Sequence, residues 1–217
     1  MASINIQQTP LLLLAVIFIS FFHFQSYAAA AAAPAGSGLE DDQGMAFLEE
    51  TCRHTQFHDL CLSFLLSDSR TTATSDRRGL LRIALDMAMT NASHVLSYIR
   101  ELLGNYKSSS NSNSNTTTFN VTSIETCGQE YNDSLTNLQW AVEALFDGID
   151  GEDYHDANNF IEAAITIIDH CKRKIIDELV REELSKSLTD MNENMSNLLH
   201  ISQDILCYLS PDSCSRT

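Results

Sequence analysis

The stretch from Ile124 to Leu145, IETCGQEYNDSLTNLQWAVEAL, decides the fold. Its apolar positions Ile124, Cys127, Tyr131, Leu135, Leu138, Val142 and Leu145 step by 3, 4, 4, 3, 4 and 3 residues. That spacing puts all seven on one face of an α-helix, with polar side chains on the other. Downstream, Tyr154, Ala157, Ile161, Ala164, Ile168, Cys171 and Ile175 make a second stripe, and Leu188, Met191, Met195, Leu198, Ser202, Ile205 and Leu209 a third. Upstream, Leu81, Ala84/Leu85, Ala88, Val95, Ile99 and Leu102/Leu103 recur mostly every three or four residues, and Gly104 is expected to stop that helix. Four long amphipathic helices predict an all-α, antiparallel four-helix bundle in which each stripe packs into a shared core. A shorter Cys-bearing segment, Met45 to Leu66, precedes them.

Composition agrees with this class. The 217 residues include only 8 Gly and 3 Pro, too few turn-makers for a many-stranded sandwich or barrel. Lys and Arg number 13 against 29 Asp and Glu, so the formal charge is 13 − 29 = −16 and no basic stripe exists to neutralise phosphates. Nucleic acid is excluded as a partner on that ground.

The first residues set the compartment. Leu11 to Phe24, LLLLAVIFISFFHF, is an apolar run too short to span a bilayer, followed by Ser26-Tyr27-Ala28 and an alanine tract ending at Pro34-Ala35-Gly36. This reads as a secretory signal peptide over residues 1–28, with cleavage as late as about residue 36. It lacks a basic n-region, since no Lys or Arg precedes the run. A flexible segment 29–44, a helical domain 45–210 containing a low-complexity linker 105–120, and a tail 211–217 complete the expected organisation. The mature chain is expected to be extracellular and to need no membrane after signal removal. Five Asn-x-Ser/Thr sequons then become glycan acceptors, at Asn91, Asn115, Asn120, Asn132 and Asn194.

Secretion also makes the six cysteines disulfides rather than metal ligands. Cys127 and Cys171 lie 23 and 21 residues from Asp150, in the turn between two helices, so at 1.5 Å per residue they sit nearly level in an antiparallel hairpin. Cys52 and Cys61 enclose a short polar loop, which suggests a local bridge. Cys207 and Cys214 flank a Pro-containing turn; a third bridge is the tidy reading, and free or intermolecular thiols are the other.

Catalysis finds no constellation. There is no Gly-x-Ser-x-Gly elbow, phosphate-cradling Gly loop or His-Glu-x-x-His helix. His54 and His58 imitate half a zinc site, but a bridge is the better use of the cysteines around them. The turn Asp147 to Asp153 resembles a calcium loop only faintly, because Phe146 and Gly148 stand where carboxylates are needed, and it is expected instead to cap the next helix. No metal and no cofactor are expected. A helical carrier of small apolar ligands is a further alternative, and it requires an internal cavity.

One ordered set of residues carries a resemblance. Thr51-Cys52, Cys61, Gly79-Leu80 with Ile83-Ala84-Leu85, Asn91-Ala92, Cys127 with Tyr131 and Asp133, Ala163-Ala164 leading to Cys171, and Asn192-Glu193-Asn194 with Leu198 together closely resemble plant invertase and pectin methylesterase inhibitors. The resemblance spans about Met45 to Leu209. It implies a bundle preceded by a small helical hairpin, the pairings Cys52 to Cys61 and Cys127 to Cys171, and a secreted, non-catalytic inhibitor of a cell-wall enzyme. Pectin methylesterase is the implied target, by occlusion of its substrate cleft, and an acid invertase of the cell wall or vacuole is the alternative. The implied contact region flanks the bundle disulfide: Gln129, Glu130, Asn132 and Asp133 after the first cysteine, His170 and Arg173 beside the second. Here the chain departs from the pattern, because the family commonly has Thr before the second cysteine and an acid soon after it. The Pro-Lys-Phe element common in invertase inhibitors is also absent, as no Pro lies between Pro34 and Pro211. An imidazole ordinarily titrates near pH 6.5, so a histidine at the contact is expected to make binding pH-dependent.

Overall fold

The structure is a computed structural model and describes residues 38–109, 121–147, 153–178 and 182–214. The expected signal peptide, the sequons at Asn115 and Asn120 and most of the low-complexity linker lie outside the described residues. The helices are α1 (Gly38–Arg53), α2 (His58–Leu66), α3 (Arg77–Ser109), α4 (Val121–Val142), α5 (Tyr154–Glu178) and α6 (Glu182–Leu209). Short 3-10 turns occupy Thr71–Ala73 and Pro211–Cys214, and α4 ends in a π-helical turn, Glu143–Asp147. Among the described residues there is no strand. All of these elements belong to one unit, Gly38–Thr217.

Helices α3 to α6 form a ring in which α3 packs on α4 and α6, and α5 packs on α4 and α6. Contacts at one end of the bundle join the start of one helix to the end of the next and so make the neighbours antiparallel. Arg78 at the start of α3 donates to the Leu145 carbonyl beyond α4 (2.6 Å), Trp140 late in α4 meets Phe160 early in α5, and Gln203 late in α6 donates to Asn158 early in α5 (3.1 Å). The predicted stripes supply the core: Leu81, Ala84, Leu85, Ala88 and Ile99 of α3, Cys127, Tyr131 and Leu138 of α4, Ile161, Ala164 and Ile168 of α5, and Leu188, Met195 and Ile205 of α6 are fully buried.

Two helix starts are set by aspartates. Asp76 Oδ1 accepts the Gly79 N–H (2.7 Å) at the head of α3, and Asp153 Oδ1 accepts the Asp156 N–H (2.9 Å) at the head of α5. The turn before α5 therefore caps a helix, through its last residue. Gly79 has its own reason, because a Cβ there would collide with the Thr74 methyl.

The expected stop at Gly104 does not occur. Helix α3 continues to Ser109, and a Cβ on Gly104 would meet nothing within 4 Å. Glycine ends a helix when the chain must turn left-handed; where it stays helical, the backbone bonds on either side carry it at a modest entropic cost. Residues 105–109 thus belong to a helix rather than to the linker.

The hairpin α1–α2 docks on the α3 and α6 ends through polar and aromatic contacts. Arg77 pairs with Glu50 (2.9 Å) and lies over the rings of Phe47 and Tyr208; Tyr208 donates to Glu50 (3.0 Å) and stacks on His54 (3.8 Å between centroids). Asp204 Oδ2 accepts the Gln56 N–H (2.8 Å).

Candidate functional site

The bridges are Cys52–Cys61, Cys127–Cys171 and Cys207–Cys214, and none of the six cysteines is free. The second ties α4 to α5 with Cα atoms 5.1 Å apart. Register follows from it, since every residue within a turn of either cysteine is brought to the same level of the bundle. Beside the bridge, Glu130 of α4 pairs through Oε1 with His170 Nδ1 of α5 and lies 4.0 Å from Lys174 Nζ. The acid is the inner member: its side chain is 14% exposed, against 49% for the imidazole. Glu130 Oε2 is buried and meets no hydrogen-bond partner. Two basic side chains from α5 therefore converge on one acid of α4, and Arg173, two residues past the bridge, is exposed. Asp169, also beside Cys171, accepts the Ser196 hydroxyl of α6 (3.3 Å).

Gln129, Asn132 and Asp133 turn the other way. They line an open groove of about 460 Å³ between α3 and α4, with Leu96, Ile99 and Leu103 among its apolar lining and Arg100 and Glu125 on its polar side. Gly128 lets the helices close beneath it, since a Cβ there would press on Ile99 Cγ2 at 3.2 Å. The six expected contact residues thus do not form one patch. Glu130 and His170 meet at the α4–α5 edge, Gln129, Asn132 and Asp133 line the α3–α4 groove, and Arg173 is exposed on α5 two residues past the bridge.

Tyr131 belongs to neither face. It is buried, and its hydroxyl donates to Asn192 Oδ1 (2.8 Å), joining α4 to α6 across the ring; burial pushes the phenol far up, so it remains a donor. Of the other singled-out groups, His54 stacks on Tyr208 and His58 pairs with Asp59 (2.9 Å), so the two do not form a shared ligand set. The sulfurs of Cys127 and Cys171 lie near Glu130, but bridged sulfurs offer no thiolate to a metal. Asn91 is half-buried in α3, whereas Asn132 and Asn194 are exposed. Two features escaped the sequence reading. Lys174 joins Glu130, three residues past Cys171 and so one turn along the same face. Trp140 is 48% exposed and lines, with Phe160, Glu143 and Ala144, an apolar hollow at the other end of the α4–α5 pair.

Fold and site define a class: a bridged helical bundle that presents a charged edge rather than a reaction centre. Residues 46–205 match the family described as Plant invertase/pectin methylesterase inhibitor, and the chain belongs to that family, one of inhibitors rather than enzymes. Over 52 residues it is 40% identical to the Arabidopsis thaliana protein named Cell wall / vacuolar inhibitor of fructosidase 2; this stretch is 24% of the chain and 28% of that protein. Its fold is similar to the crystal structure of mutant form A of a pectin methylesterase inhibitor from Arabidopsis, with TM-score 0.57 and 21% identity over 71% of this chain and 91% of the other. The crystal structure of a pectin methylesterase inhibitor from Arabidopsis thaliana aligns with TM-score 0.49 and 21% identity over 75% and 95% of the two chains. Among the described residues no helix is long and apolar enough to cross a membrane.

Proposed function

We propose that this inhibitor acts on pectin methylesterase, in the cell wall after secretion, and limits the demethylesterification of pectin by covering the enzyme's substrate cleft. The carrying observation is the α4–α5 edge, where Glu130 and His170 meet beside the Cys127–Cys171 bridge in the region that family resemblance assigns to the target. A covalently pinned edge loses little freedom on docking, so less of the contact energy is spent on ordering it. The apolar run before Phe24 supports secretion. A second reading, inhibition of an acid invertase, is favoured by the 52-residue match to the fructosidase inhibitor. The test is a parallel titration of the oxidised mature protein against a plant pectin methylesterase and a cell-wall invertase at about pH 5 to 6.5. Selective loss of esterase activity is expected. Selective loss of invertase activity would install the second reading, and loss of neither would refute both targets.

A further inference from the structure

We propose that Asn132 carries an N-linked glycan whose first sugar seats in the α3–α4 groove, closing that face and leaving the α4–α5 edge to the target. The inference rests on the secretion part of the proposed function.

Three observations converge. Asn132 is exposed, begins the sequon Asn132-Asp133-Ser134, and itself lines the groove. Ser134 is fully buried, and its hydroxyl has no hydrogen-bond partner. Such a hydroxyl carries a desolvation penalty in the folded chain that an alanine would not. The other described sequon hydroxyls are used: Ser93 donates to the Met89 carbonyl (2.9 Å) and Ser196 to Asp169 (3.3 Å). The Ser134 hydroxyl therefore has its use before folding, when an oligosaccharide transferase reads Asn-x-Ser on an extended chain. The third observation is the groove, where half-buried Leu103 is the apolar side chain open to it above the buried Leu96 and Ile99, with Arg100, Gln129 and Asp133 at its side. None of these last three side chains has a hydrogen bond or ion pair among the described residues. A pyranose has the matching surface, an apolar face of C–H groups ringed by hydroxyls and an acetamide, and about 460 Å³ is within the range of small-ligand clefts.

Chemically, the Asn132 amide nitrogen displaces a lipid-linked diphosphate from C1 of N-acetylglucosamine. The N–C1 bond forms, the C1–O bond breaks with its electron pair leaving on the diphosphate, and the amide proton passes to the medium. The donor is a lipid diphosphate oligosaccharide of the secretory compartment.

The test expresses the full chain in a secreting plant host and maps glycopeptides of the wild type, Asn132→Gln and Ser134→Ala by mass. Sugar on Asn132 in the wild type and on neither variant is expected, with Ser134→Ala folded and at least as heat-stable as the wild type. Labelling with a dicarbonyl reagent then reports the groove. Arg100 should react several-fold more slowly in the glycosylated wild type than in Asn132→Gln, while Arg173 reacts equally in both. Sugar on Asn194 but none on Asn132 overturns the inference and leaves secretion standing; retention in the cell with no sugar on any sequon overturns both. Equal labelling of Arg100 overturns the seating in the groove.

Discussion

Tyr131 and Asn192 form a hydrogen bond inside the core, and both are fully buried. Removing the hydroxyl in Tyr131→Phe leaves Asn192 Oδ1 without its donor, and an unsatisfied buried acceptor costs about 1–3 kcal/mol. The expected outcome is a melting temperature several degrees lower, with partial recovery when Asn192 is also replaced by Leu; a neutral single variant would show that the pair contributes nothing. Tyr208 offers a pH experiment at the same scale. Its phenol is held above the ordinary range chiefly by donating to Glu50, and then by burial. The folded chain binds this proton more tightly than the unfolded chain does. The contribution is therefore complete below the unfolded value of about 10 and is lost as pH rises through the folded one. Alkaline titration should loosen the docked hairpin, as read by hydrogen exchange in α1 and α2, and Tyr208→Phe should remove that pH dependence. Tyr131 was legible in the sequence as a stripe residue, but its partner was not, because Asn192 lies 61 residues away on a helix that periodicity cannot place opposite α4.

Elements were more legible than partners. The four stripes read from Leu81, Ile124, Tyr154 and Leu188 reappear as the buried faces of α3 to α6, because a period near 3.6 survives whatever the neighbouring helix supplies. The level of Cys127 with Cys171 followed from helix rise alone. The exception is an end: the spacing predicts a stop at Gly104, yet the helix runs on and nothing at that position requires a left-handed backbone. Gly104→Ala should consequently stabilise the protein by up to about 1 kcal/mol, measured by urea unfolding, and a loss of stability would mean that the helix does not pass through this position. The site was half legible for a related reason. Resemblance pointed to Gln129, Glu130, Asn132 and Asp133 as one patch, but successive helix positions are about 100° apart, which sends Glu130 toward α5 and Asn132 toward α3. Nor could periodicity announce the π-helical turn at Glu143–Asp147, whose Leu145 carbonyl is taken by Arg78 and whose Phe146 ring lies under Arg78 and Arg82.

For the whole molecule, charge governs approach more than grip. The formal −16 contains nothing from the first 39 residues, which have no Asp, Glu, Lys or Arg, so all of it belongs to residues 40–217. Association with a basic target should fall by about tenfold or more between low and moderate salt, because the screening length shrinks from about 30 Å at 0.01 M to about 10 Å at 0.1 M, while dissociation changes far less. Stopped-flow rates across a salt series measure this, and a salt-independent on-rate would remove steering from the account. The three bridges also partition the polypeptide unevenly. One closes the α1–α2 hairpin, one joins α4 to α5, and one secures the end of α6 to the turn after it; none crosses from the hairpin to the bundle. A single trypsin nick at Arg70, in the connection before α3, should therefore release the hairpin as a separate band on a denaturing gel without reductant. A nick between α4 and α5 should leave both of those fragments migrating as one until the sulfurs are reduced.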